Sequence, residues 1–272
     1  MRLSADLQSA LDASVSAPFD ADTARRAVGM LDLTSLNGDD NDRVVEALCA
    51  RAVTPLGPVA AVCVWPRFVA TARKALAGTP VRIATVVNFP TGEADAASVA
   101  AETRRAIEDG ADEIDVVLPY RAFIDGARTQ PISVIKACRE ACGESVTMKV
   151  ILESGVFPDA ELLAWASRDA IAAGADFLKT STGKTQPAAT LEAAAVMLDT
   201  IYESGKPVGF KAAGGIRDGA GAASFLALAD HILGEGWATP QTFRFGASSL
   251  LDTLLADAGQ DDAAPAPAPA GY

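Results

Sequence analysis

Two lysines sit in surroundings too apolar for ordinary surface residues. Lys179 closes the stretch Ala-Gly-Ala-Asp-Phe-Leu-Lys at 173–179, and Thr-Ser-Thr-Gly-Lys follows at once. Lys211 lies in Val-Gly-Phe-Lys-Ala-Ala-Gly-Gly-Ile-Arg at 208–217. Each reads as the end of a buried strand running into a Gly-rich loop. Burial and a second cation nearby both disfavour a charged amine, so both lower its pKa. A neutral lysine amine attacks carbonyls and forms an imine. The chain has only seven lysines, and two in such settings point to carbonyl chemistry through a Schiff base.

A carboxylate belongs with them. Asp115 lies in the apolar run Ile114–Leu118, and a buried carboxylate needs a partner. Lys211 on a neighbouring strand can supply one, and the pair can pass protons to and from a bound carbonyl or hydroxyl. The bland reading of Asp115 is an ion pair that only fixes the core. Lys149 and Glu153, an even number of residues apart, are expected on one strand face. Lys149 is then either a third active-site charge or simply the partner of Glu153.

The elements that must position these groups alternate along the chain. Strands are expected at 31–36, 59–65, 81–87, 113–118, 146–152, 176–180, 207–212 and 242–245, each followed by a helix. Gly110, Gly143 and Gly174 end three of the helices. Near-continuous apolar strands require a parallel sheet covered on both faces. Eight strand-helix units in this length predict a (β/α)8 TIM barrel, with an open doubly wound sheet as the alternative. Residues 1–256 form the barrel domain, with 1–29 a helical extension closing one barrel end. Residues 257–272 are an Ala-Pro tail that cannot pack a core and ends on Tyr272.

In such barrels chemistry gathers at the C-terminal ends of the strands. Asp32, Thr34 and Cys63 are expected there. Gly-rich loops follow the last three strands: Thr182-Gly183-Lys184, Gly214-Gly215, and Gly246 to Ser249. Backbone N–H groups at the start of a helix bind phosphate, and barrels place such a site after strands seven and eight. Tight turns alone would also explain these glycines singly. Cys63 is either a small core residue or a wall of the site. Cys138 and Cys142 share a helix face and read as packing, and His231 as a packed or surface residue.

Bulk properties narrow the classes. Half of the 272 residues are hydrophobic, and the net charge is −12. That charge argues against nucleic acid or an anionic membrane as partner, but local fields leave room for a small anion. One histidine excludes zinc sites built on His clusters. The four cysteines contain no C-x-x-C pair, and no stretch reaches membrane-spanning length. A reducing cytoplasm is the expected location.

The motifs together resemble those of deoxyribose-phosphate aldolase, a class I aldolase family. They run in order through nearly the whole chain: Met-Leu-Asp-Leu-Thr-Ser-Leu-Asn at 30–37, Val-Cys-Val-Trp-Pro-Arg-Phe at 62–68 and Ile-Ala-Thr-Val-Val-Asn-Phe-Pro at 83–90. Gly-Ala-Asp-Glu-Ile-Asp-Val-Val-Leu-Pro-Tyr-Arg follows at 110–121 and Met-Lys-Val-Ile-Leu-Glu-Ser-Gly at 148–155. The Lys179 and Lys211 stretches and Arg-Phe-Gly-Ala-Ser-Ser-Leu-Leu at 244–251 complete the set.

The resemblance implies reversible cleavage of 2-deoxy-D-ribose 5-phosphate to D-glyceraldehyde 3-phosphate and acetaldehyde, with no metal or other cofactor. It places the Schiff base on Lys179, with Lys211 and Asp115 beside it in proton transfer. Asp32 and Thr34 fall near the substrate hydroxyls. Gly183, Lys184, Gly214, Gly215, Ser248 and Ser249 fall at the phosphate. A family C-terminal tyrosine that moves the enamine proton matches Tyr272, and members commonly pair as homodimers. Ala212 departs from the family's Lys-Pro-Ala-Gly-Gly, and Ala-Gly precedes Tyr272 where Ser is expected. Two other functions fit the residues: an imine aldolase with a longer keto donor, and a non-catalytic phosphate-binding barrel.

Overall fold

The computed structural model describes residues 3–259; Tyr272 lies outside them. Eight strands form the barrel: β1 Leu31–Thr34, β2 Ala61–Val64, β3 Arg82–Val87, β4 Glu113–Val117, β5 Thr147–Ile151, β6 Phe177–Lys179, β7 Gly209–Ala213 and β8 Phe243–Ala247. Each pairs in parallel with its neighbours in the order β1-β8-β7-β6-β5-β4-β3-β2, and β1 pairs with β2 to close the ring. Closure excludes the open doubly wound sheet. No helix among the described residues is long and apolar enough to cross a membrane.

Each strand places alternate side chains on opposite faces. Ile114 and Val116 of β4 face the helices and join the main apolar core, while Glu113 and Asp115 carry buried charge on the other parity. The register sets Asp115 beside Lys149, Lys179 beside Lys211, and Lys211 beside Arg244. Charged residues therefore come together from β1, β4, β5, β6, β7 and β8.

Among the described residues seven helices open on a side-chain cap, from Ser4, Asp20, Asn41, Asp95, Asp159, Thr190 and Asp218. These satisfy amide groups that a helix start leaves unpaired. Gly110, Gly143 and Gly174 have φ of 107°, 60° and 97° at the helix ends, a backbone region that glycine adopts without strain. The N-terminal segment folds as helices Ala5–Ser14 and Ala21–Gly29. The first lies mainly against the outer helices Leu191–Ser204 and Gly219–Leu233. A short helix, Tyr120–Ile124, and a two-residue pairing of Val53–Thr54 with Gly57–Pro58 interrupt the expected rhythm.

Two inward glycines make room for bulk. A Cβ on Gly209 would collide with the ring of Phe177, and one on Gly246 would lie 2.9 Å from Cε of Lys211. Overpacking a filled core costs about 1–3 kcal/mol. Gly209→Ala should lower stability by about that amount in urea unfolding, and adding Phe177→Leu should recover part of the loss. An unchanged midpoint in Gly209→Ala would show that the ring yields freely.

Candidate active site

Asp115 is fully buried and shared by three lysines. Lys149 Nζ lies 2.7 Å from its Oδ1, and Lys179 Nζ and Lys211 Nζ each lie 2.8 Å from its Oδ2. Burial opposes the carboxylate's charge, but the three cations outweigh it and hold Asp115 well below the usual carboxylate range. The sequence expectation of Lys179, Lys211 and Asp115 in one place matches this geometry.

The lysines differ in what else they touch. Burial opposes the charge on Lys211, yet Asp115 and Asp32 prevail and hold its ammonium above the ordinary lysine range. Its Nζ is 2.5 Å from Asp32 Oδ2. Lys149 has the same balance, with Glu113 Oε2 at 2.6 Å, and is likewise raised. Lys179 has Asp115 as its only acid within salt-bridge distance among the described residues. Burial pushes it down, Asp115 opposes, and the charge of Lys211 adds to the push, so its pKa falls below the usual value. Lys179 is thus the amine most easily uncharged.

The network runs deeper than the strand ends. Arg244 grips Glu113 with Nη2 to Oε1 at 3.0 Å and Nη1 to Oε2 at 3.1 Å, while Nη1 also donates to Asp32 Oδ1 at 2.7 Å. Glu113 and Arg244 were missed from sequence. Arg244, between Phe243 and Phe245, carried the signal that marked Asp115, a charge inside an apolar strand; Glu113 follows Asp112 at the strand start and shows only by its parity with Asp115.

Some expectations need correction. Asp32 does not line the cavity; it is fully buried and engaged by Lys211 and Arg244. Cys63 is also fully buried, packed with Leu36, Ala61, Ala84 and Val86, and burial pushes its thiol up. It packs in the core and does not line the cavity. Glu153 does not share a strand face with Lys149. It turns out of the strand at φ 57° and accepts from Thr182 Oγ1 at 2.6 Å and Thr182 N at 3.2 Å.

Above the lysines opens a cavity of about 590 Å³, lined by Lys179 and Thr34. Thr182, Gly183, Lys184, Gly214, Gly215, Ser248 and Ser249 form its rim with Arg217; the arginine was not expected. Gly183, Gly214 and Gly215 have φ of 77°, 84° and 87°, which turns their backbone in ways that L side chains strain to follow. Gly214 also packs closely on Gly183. Ser249 precedes helix Leu250–Asp257 without using its hydroxyl as a cap. Lys184 Nζ spans the mouth to donate to Leu36 O at 2.7 Å. His231 is exposed, while Cys138 and Cys142 are buried.

Comparison with known proteins adds to this geometry. Residues 26–256 match the family model described as DeoC/LacD family aldolase. A Coccidioides immitis protein provisionally assigned as a deoxyribose-phosphate aldolase is 26% identical, over 91% of this chain and 95% of its own, with a TM-score of 0.77. An apo structure from Toxoplasma gondii ME49, with the same provisional assignment, is 25% identical over 90% and 98%, with a TM-score of 0.82. The deoxyribose phosphate aldolase of Aeropyrum pernix, described as tetrameric, is 24% identical over 93% and 97%, with a TM-score of 0.69. That last likeness speaks for the fold alone.

Removing one member of a buried ion pair leaves the other uncompensated, at a cost of about 3–5 kcal/mol. Lys149→Met should therefore destabilise the barrel by about that much in denaturant titration. Glu113→Gln in the same chain should restore a substantial part. Equal loss in the single and double variants would show that Lys149 and Glu113 are not energetically coupled.

Proposed function

The chain belongs to the DeoC/LacD family of aldolases, and we propose that it cleaves 2-deoxy-D-ribose 5-phosphate reversibly to D-glyceraldehyde 3-phosphate and acetaldehyde through an imine on Lys179. The observation that carries this reading is the meeting of Lys179 and Lys211 on one oxygen of Asp115, beneath a glycine-rimmed cavity.

In this reading the neutral Lys179 amine adds to the aldehyde carbon of the open sugar. The carbinolamine loses water to give a protonated imine. That cation is the electron sink: as the C3 hydroxyl gives up its proton, the C2–C3 bond breaks and its electron pair forms an enamine. D-glyceraldehyde 3-phosphate leaves. Protonation of the enamine carbon and hydrolysis release acetaldehyde and restore the amine. Asp115 and Lys211 handle the protons, directly or through one water. No metal enters the scheme, because the imine supplies the electrophile.

The phosphate is assigned to the loops at Thr182–Lys184, Gly214–Gly215 and Ser248–Ser249. The glycine backbones favour close approach, and the helix start at Leu250 favours an anion. Thr34, which also lines the cavity, is assigned to the sugar hydroxyls. Tyr272 is assigned the enamine proton by family resemblance. Phosphorylated deoxysugar as the partner molecule, a cytoplasmic setting, a role in deoxyribonucleoside breakdown and a homodimer complete the proposal.

Acetaldehyde with borohydride should fix a two-carbon adduct on Lys179, located by peptide mass spectrometry. Lys179→Ala should lose at least about 10³-fold in rate, as removal of a covalent catalyst does. Full activity in that variant would overturn the assignment, and faster turnover with pyruvate than with acetaldehyde would point to a different donor. Because the amine must be uncharged, the rate should rise with pH through a transition below the ordinary lysine value near 10.4. A separate test concerns the enamine proton. Tyr272→Phe should slow deuterium exchange into the acetaldehyde methyl group by about 10²-fold while leaving trapping at Lys179 intact. Unchanged exchange would remove Tyr272 from the scheme.

A further inference from the structure

Seven ionisable side chains meet inside the barrel, and the imine scheme uses three of them. Arg244 does not line the cavity, yet it is held on every side. Beyond Glu113 and Asp32, its Nε donates to Pro240 O at 2.6 Å, and its guanidinium lies 5.6 Å from the centre of the Phe177 ring. Asp32 gives one oxygen to Arg244 and the other to Lys211. Lys211 then reaches the same oxygen of Asp115 on which Lys179 rests. A chain of alternating charge thus runs from Arg244 through Asp32, Lys211 and Asp115 to Lys179.

We propose that Arg244 is a positioning residue for the Lys179 amine: it fixes Asp32 and Lys211, and it supplies the third positive charge that balances Asp32, Glu113 and Asp115. The inference rests on the Schiff-base reading of Lys179. With Arg244 in place, Lys149, Lys211 and Arg244 match the three carboxylates, and Lys179 needs no proton for neutrality. Without it, three carboxylates face two ammonium groups, and the nearest base left to protonate is Lys179.

The surroundings of both groups bear on the sign. Lys179 is faced by Asp115 from β4, Lys211 from β7 and Cys63 from β2, with Lys149 of β5 behind Asp115. Arg244 is faced by Asp32 from β1 and Glu113 from β4. Arg82 of β3 also reaches Glu113, at 3.3 Å, but is about half exposed, so water screens its charge.

The test measures the initial rate of acetaldehyde trapping at Lys179 with cyanoborohydride against pH, in the full-length protein. Arg244→Met should move the midpoint up by about one pH unit, equivalent to about tenfold less neutral amine at a given lower pH. Arg244→Lys keeps the charge and should keep the wild-type midpoint even if stability falls. Arg244→Met with Glu113→Gln restores the balance and should bring the midpoint back. Glu113→Gln alone should move it down, and this arm decides the matter if Arg244→Met does not fold. Labelling of Lys179 with midpoints unmoved in Arg244→Met or Glu113→Gln would overturn the role of Arg244. Absence of any label on Lys179 in the unaltered protein would instead overturn the Schiff-base reading.

Discussion

The carboxylate of Asp115 is the point on which the barrel interior depends. Three lysine nitrogens approach its two oxygens within 2.8 Å, so they are drawn close despite their mutual repulsion. The remaining acids distinguish the lysines. Lys149 has Glu113 and Lys211 has Asp32, whereas Lys179 shares an oxygen already engaged by Lys211. Like charges compete for one partner, and the least supported base gives up its proton first. The asymmetry among three identical side chains thus follows from where two further carboxylates sit on β1 and β4.

Such an interior is an expensive way to fill a barrel. The usual filling is layers of branched apolar residues, and replacing a buried ion pair by packed hydrophobic groups is often neutral or stabilising. Apolar residues do fill the space between sheet and helices here, which leaves the charge confined to the inner face. Confinement requires space as well as pairing. Gly246 leaves Lys211 the volume its stem occupies, and Gly209 does the same for Phe177, whose ring in turn lies near the Arg244 guanidinium. Glycine on an inner strand face therefore acts on the geometry of the lysines without carrying any chemistry.

Much of this was legible in the sequence. The barrel followed from repeated apolar strands and glycine-ended helices. Lys179, Lys211 and Asp115 were visible because a charge in an apolar run has few explanations. Arg244 carried the same mark, whereas Glu113 follows Asp112 and does not stand out; both lie at least one inward position before the strand end, a place to which the C-terminal-end rule does not point. Asp32 was placed with the substrate because strand position does not reveal which partner takes an oxygen. Lys149 and Glu153 were aligned by counting, and counting fails once a residue turns to φ 57°. Strand limits moved by a few residues where neighbour pairing set them. β8 runs on to Ala247, through Gly246 pairing with Ala213 and Asp32 and Ala247 with Leu33.

A net charge of −12 stands against the phosphorylated substrate proposed above, and the distribution of charge resolves the conflict. The interior carboxylates are matched within contact distance, so their field largely cancels at the cavity. Lys184 and Arg217 stand on the rim with the glycine loops, and the helix start at Leu250 adds a partial positive charge. The excess negative charge lies mainly on the outer surface, where salt screens it over about 10 Å. An anion entering the mouth therefore meets the local balance before the global one. The same separation explains why the Lys179 amine is held below the usual lysine range in an acidic protein. What governs its proton is the set of partners within a few ångströms, and those partners are fixed by strand register.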